Sequence, residues 1–95
     1  MDNSLFDWDD ANIAHIAEHD VAPEEAEEII LRDPLDIGLE VVNGEERSSH
    51  VGETNEGRIL WVVITFRGER MRVVTAFEPD KQWKIFYFQQ RAGLQ

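Results

Sequence analysis

The sequence predicts an α+β fold, with two N-terminal helices packed on a twisted antiparallel sheet of about four strands and a short C-terminal element. Three observations carry this. Apolar residues of the first third recur at helical spacing, as in Ile13, Ile16 and Ala17 and again in Ala26, Ile29 and Ile30. The punctuation then changes to Asn43-Gly44, Asn55-Glu56-Gly57 and Arg67-Gly68, about a hairpin apart, with β-branched runs between. Finally, Ile59-Leu60-Trp61-Val62-Val63-Ile64 is apolar on both parities, as a strand covered on both faces would be.

Asp9 or Asp10 suits the N-cap of the first helix, whose apolar stripe of Ile13, Ile16 and Ala17 ends near His19-Asp20. Pro23 fits the first position of the second helix and acids crowd its first turns. Ala26, Ile29 and Ile30 form its inward face until Asp33-Pro34 stops it. The predicted strands are 37–42, 47–52, 58–66 and 70–77, in an antiparallel meander with 58–66 central. After Glu78-Pro79-Asp80 two readings stand. Pro79 and Asp80 can start a helix that gathers Trp83, Phe86 and Tyr87, whereas Ile85-Phe86-Tyr87-Phe88 has strand propensity.

Ninety-five residues, 42% hydrophobic and 31% charged, suit one globular domain over 1–95 and not a disordered chain. There is no cysteine, so disulfides and thiolate metal sites are excluded and a reducing cytoplasm is the expected compartment. No apolar run approaches the roughly 20 residues that span a bilayer, and no membrane association is expected. The net charge of −11 argues against a protein that coats nucleic acid. The charge is uneven, however: residues 1–46 hold fifteen acids and one arginine, while residues 47–95 hold five acids and eight Lys or Arg. A fold that separates these halves has an acidic helical back and a modestly basic sheet face, which leaves an RNA substrate open.

Several residue groups bear on chemistry. His15 and His19 are four apart, so a helix through both puts them on one face, with Asn12 three residues before His15. As a metal pair they need a third ligand such as Glu18 or Asp20. As acid or base, an imidazole titrates near neutrality and can move a proton at a ribose hydroxyl. In the plainest reading Asn12 and His19 hydrogen-bond the helix end and the next turn. By alternation Arg72 lies with Val74 and Ala76 on one face of the last strand. A cross-strand pair of Arg47 and Arg72 makes a small anion site, and an ordinary polar strand face accounts for both residues equally well. The glycines form no phosphate-cradling sequence. Ser48 and Ser49 beside His50 lack a nucleophile elbow, so a serine hydrolase is not expected.

The run Phe6-Asp7-Trp8-Asp9, with Asn12, His15-Ile16, His19, Val21 and Pro23-Glu24-Glu25-Ala26-Glu27-Glu28, then Asp33-Pro34, resembles the N-terminal half of the BrnT toxins. These are small RelE-like ribonucleases of bacterial toxin–antitoxin pairs. Glu45-Glu46-Arg47 followed by Gly52 resembles the "E.R…G" segment that opens the family's second strand. The resemblance implies a RelE-like architecture, an antitoxin partner and an RNA substrate. It further implies cleavage through a ribose 2′-hydroxyl without a metal or other cofactor. It assigns His19 to proton transfer and makes Arg47 and Arg72 the groups that stabilise charge on phosphate. For Arg47 the alternative is an ion pair with Glu45, Glu46 or the acidic second helix. Two positions depart from the family: Glu18 stands where a Lys or Arg commonly precedes the histidine, and Phe77 stands where a final arginine closes the last strand. The ending from Glu78 to Trp83 looks like that of a related set of bacterial domains without assigned function. These departures and the acidic total favour the second function considered, a non-catalytic protein-interaction domain of the same fold.

Overall fold

The computed structural model describes residues 5–93. In chain order the elements are α1 (Asp10–Ala17), α2 (Pro23–Leu31), β1 (Leu35–Val42), β2 (Glu45–Glu53), β3 (Ile59–Arg67), β4 (Arg70–Phe77) and α3 (Lys81–Arg91). The four strands form one antiparallel meander in the order β1-β2-β3-β4, so the expected α+β class holds. Each strand lies within a few residues of its expected span.

Asp9 caps α1 from an extended backbone. Its carboxylate accepts from the Asn12 N–H at 3.0 Å, and the Asn12 side chain accepts from the Asp9 N–H at 2.8 Å. This reciprocal pair satisfies two of the donors that a helix start leaves free. At the other end the Val21 N–H bonds Ile16 O at 3.1 Å and the Asp20 N–H bonds Ala17 O at 3.0 Å. Asp20 takes a left-handed φ of 65° between them. This is a Schellman closure, and its apolar contact is supplied by Ile16 and Val21, both in the core.

These two caps correct the expected inward face of α1. His19 falls beyond the helix, in the closing turn, and Ile13 is 37% exposed while Asn12 is only 6% exposed. The capping box turns Asn12 toward β4, where its Nδ2 donates to Val73 O at 3.3 Å. The buried line therefore runs Asn12, Ile16, Val21 instead of Ile13, Ile16, Ala17.

In α2 Pro23 occupies the first turn, Ala26 and Ile29 are fully buried and Ile30 is partly so, as expected. Its acids do more than face water. Glu25 pairs with Arg58 at 2.8 Å, Glu27 accepts from Trp8 Nε1 at 2.8 Å, and Glu28 accepts from the Asn55 N–H at 2.9 Å. The helix lies so close to β2 that a Cβ on Gly52 would stand 3.1 Å from Ile29 Cγ2. Asn43 and Gly44, with φ of 52° and 80°, make the tight β1–β2 turn.

Strand β3 is covered on both faces. Leu60, Val62 and Ile64 meet the core beneath α1 and α2, while Ile59 and Trp61 join Val51 and Tyr87 beneath α3. The ambiguous C-terminal segment is thus a helix. Asp80 caps it by accepting from the Trp83 N–H at 3.2 Å, and Tyr87 supplies the buried contact that outweighs the strand propensity of 85–88. Among the described residues no helix is long and apolar enough to cross a membrane.

Strand β4 contains a bulge. Thr75 pairs with Val63 but Val73 pairs with Ile64, which leaves Val74 as an extra residue. Val73 and Ala76 therefore both face the α1–α2 core. Arg72, opposite Thr65, is thrown to the other face with Thr75 and Phe77. The expected grouping of Arg72 with Val74 and Ala76 fails here, because strict alternation does not survive the inserted residue. The outer edge of β4 is covered by the N-terminal segment: Met71 and Phe6 form a parallel bridge, with the Asp7 N–H on Met71 O and the Met71 N–H on Leu5 O, each at 2.8 Å.

Candidate active site

The bulge matters because it decides what Arg72 can reach. Arg72 sits with Arg47 from β2 and Arg67 from the end of β3 around a cleft of about 260 Å³, with Thr65, Glu45 and Asn12 among its other walls. Three arginines from adjacent strands thus line one depression, in a chain whose net charge is −11. Arg47 and Arg72 do not form the expected cross-strand pair, because β3 lies between their strands and Arg72 stands opposite Thr65, but both line the cleft. Arg67 was not singled out from the sequence, though the hairpin Arg67-Gly68-Glu69-Arg70, with an arginine at each end, was a usable signal.

The three arginines differ in what holds them. Arg72 is the most committed: its Nη2 donates to both carboxylate oxygens of Asp9, at 3.1 and 3.0 Å, and its Nη1 donates to Asp7 O at 3.3 Å. Asp9 is correspondingly held below the usual carboxylate range, first by the Asn12 N–H at the helix cap and then by Arg72. Arg47 donates from Nε to Glu45 at 2.9 Å, the ion pair that was its alternative reading, with both side chains about one third exposed. Arg67 is exposed, with no ion-pair partner among the described residues. It lies directly across from Arg70, whose Nη2 donates to Phe6 O at 2.5 Å and whose buried Nε has no partner. Like charges set opposite each other repel, so an anion at this end of the sheet relieves them.

The histidines stand along the same edge of the sheet. His15 Nε2 is 3.1 Å from Thr75 Oγ1, and the His15 and His19 rings meet edge to face with centroids 5.5 Å apart. His19 next meets Phe77 at 6.2 Å. Thr75 lies two residues from the Arg72 pair along β3, about 7 Å, and Phe77 lies four residues away, about 13 Å. His15 is therefore nearer the arginine cleft than His19. Among the described residues no three or more of His, Asp and Glu come together as a metal site would need.

A second constellation joins Asp36 to the Ser48 and His50 already weighed in the sequence. Ser48 Oγ lies 2.9 Å from His50 Nε2, and His50 Nδ1 lies 2.9 Å from Asp36 Oδ1. The order of groups is that of a hydrolytic relay, but the setting is not. Strand β2 runs between β1 and β3 at these positions, inside the sheet and away from the strand-to-helix turn on which a hydrolytic serine and its oxyanion donors are presented.

The cleft thus lies on the antiparallel sheet of a small α+β fold, and the two imidazoles stand farther along the same sheet edge. The chain matches the family described as the ribonuclease toxin, BrnT, of type II toxin–antitoxin systems over residues 8–82, and it belongs to that family. The family implies a cognate antitoxin as partner. No curated protein is significantly similar to the chain in sequence. The matched span takes in both caps of α1, the whole sheet and the start of α3, so the arginine cleft lies inside it.

Proposed function

We propose that the chain is an endoribonuclease that cuts RNA by internal attack of a ribose 2′-hydroxyl, needing no metal. The observation that carries this reading is the convergence of Arg47, Arg67 and Arg72 on one cleft. In this scheme the 2′-oxygen forms a bond to phosphorus as its proton passes to an imidazole. The bond from phosphorus to the 5′-oxygen breaks, and that oxygen takes up a proton. The products are a 2′,3′-cyclic phosphate and a 5′-hydroxyl. Arg47 and Arg72, held in place by Glu45 and Asp9, act with the exposed Arg67 to stabilise the extra charge on the phosphoryl oxygens as it develops. His15 is the nearer proton acceptor, with His19 packed edge-on behind it as a positioning or second proton group.

The decisive experiment uses RNA oligomers carrying a single 2′-deoxy substitution, with a chelator present. Cleavage at every position except the substituted one, ending in a cyclic phosphate, supports the scheme. Cleavage at the deoxy position, or loss of activity on chelation, overturns it. A non-catalytic interaction domain is the second reading, favoured by one observation: Arg47 and Arg72 already hold carboxylate partners. Expression without an antitoxin separates the two, since the ribonuclease arrests growth and the interaction domain does not.

A further inference from the structure

Six aromatic rings touch in series across the molecule. From α1 the order is His15, His19, Phe77, Trp61, Trp83 and Phe86, with successive centroids 5.5, 6.2, 6.0, 4.9 and 5.5 Å apart. The string begins at the imidazole bonded to Thr75 and crosses the sheet on the face that Arg72 shares. It ends in a groove of about 320 Å³ on α3, lined by Gln82, Trp83 and Phe86. Phe86 at the far end is 38% exposed. Helix α3 also stands apart in charge. It carries Lys81, Lys84 and Arg91 and no acid, in a chain where acids outnumber cations by twenty to nine. Lys84 is drawn to Glu78 and Arg91 to Asp33, while Lys81 has no ion-pair partner among the described residues.

Taking the ribonuclease reading as its basis, we infer that the Gln82–Trp83–Phe86 groove receives an unpaired base of the RNA strand whose scissile phosphate sits in the arginine cleft. Three features select this occupant. The groove offers aromatic surface, which any nucleobase can stack on. Gln82 adds an amide that can meet a base edge with both a donor and an acceptor. Lys81, which has no ion-pair partner among the described residues, stands one residue from Gln82 and suits a phosphate of the backbone running past it. A paired base cannot present its face to Phe86, so the substrate class is single-stranded RNA.

The test separates binding from cleavage. The probe is a 2′-O-methyl oligouridine, which has no 2′-hydroxyl to attack, compared with its duplex with oligoadenosine. Phe86→Ala is expected to weaken the single strand roughly 5- to 140-fold, the loss typical of one stacked base, without changing the salt dependence or the duplex affinity. Lys81→Gln is expected to do the reverse, lowering the salt slope by about 0.7 for one lost phosphate contact. Because Lys81 is exposed, this second variant stays readable if Phe86→Ala disturbs folding. Folded variants that bind the oligomer as tightly as wild type, with an unaltered slope, overturn the inference and mark the groove as a surface for protein. Failure of the ribonuclease reading shows elsewhere, as intact 2′-hydroxyl RNA after incubation with wild-type protein.

Discussion

Arg72 and Asp9 are joined by one guanidinium nitrogen that donates to both carboxylate oxygens, at 3.1 and 3.0 Å, and so ties β4 to the first turn of α1. The same carboxylate caps the helix through the Asn12 N–H. A single side chain thus fixes both the start of α1 and the aim of an arginine in the cleft. Stability and the site are coupled at this point.

That coupling has a pH signature. Asp9 titrates below its ordinary value of 3.8, so the unfolded chain takes up this proton at a higher pH than the folded one. Its stabilisation is complete above that value and is lost as pH falls through the lower, folded one. Glu78, held down by Lys84, behaves alike from its ordinary 4.5. Asp9→Asn keeps a capping side chain but not the charge. Denaturation curves between about pH 5 and pH 2 should show wild type and Asp9→Asn converging as the acid is neutralised. A gap that persists unchanged at the acid end contradicts this assignment.

For Arg47 the contrast between stability and activity is the useful one. Its pair with Glu45 is partly exposed, and such pairs contribute only about 0–1 kcal/mol. A preorganised cation on a phosphate transition state is worth about 3–4 kcal/mol, or at least a hundredfold in rate. Arg47→Ala should therefore melt close to wild type yet lose RNA cleavage and relieve growth arrest. Unfolding instead would show that the ion pair is the residue's whole role.

The revised inward face of α1 is checked by comparing two isoleucines. Ile16 is fully buried, and its truncation to alanine should cost about 2–5 kcal/mol. Ile13 is more than one third exposed, so Ile13→Ala should cost well under half as much. Equal losses in chemical denaturation would restore the face expected from spacing alone.

What the sequence revealed follows from how locally each feature is encoded. Pro23, Asn43-Gly44 and the doubly apolar run at 59–64 each act on their own neighbourhood, and the elements they mark are where they were expected. Asn12 was legible as a side chain that hydrogen-bonds the helix end, but its burial was not, because that depends on a capping bond at one end and on Val73 O, sixty-one residues away, at the other. The face of Arg72 was misread because the bulge at Val74 arises from how β4 registers on β3, and no residue type in Arg72-Val73-Val74-Thr75 announces it. Arg47 and Arg72 were legible as site candidates. Arg67 was signalled only by the arginines at the two ends of its hairpin, and the link from the rings of the C-terminal helix to His19 through Trp61 and Phe77 needed three-dimensional proximity.

Phe77 offers the strictest test of whether the cleft has lost part of an ancestral site. It lies on the Arg72 face of β4, near-parallel to Trp61 at 6.0 Å and edge-on to His19 at 6.2 Å. Phe77→Arg adds a cation to that face but removes ring contacts of the kind worth about 0.5–1.5 kcal/mol a pair. Glu18 stands at the C-terminal end of α1, where a cation is also favoured by the helix dipole, so Glu18→Lys should stabilise slightly or leave the melting temperature unchanged. If the site is a weakened phosphate binder, the double variant should bind single-stranded RNA with a salt slope steeper by up to about 1.4, one increment of about 0.7 for each new phosphate contact. Glu18→Lys alone should give at most one increment without thermal cost. Affinity at two salt concentrations, read beside thermal melts of both single variants and the double, separates the outcomes. A folded double variant whose affinity and slope match wild type would show that neither position borders bound RNA. A steeper slope with a lowered melting temperature would show that Phe77 gave up a phosphate contact in return for packing against Trp61.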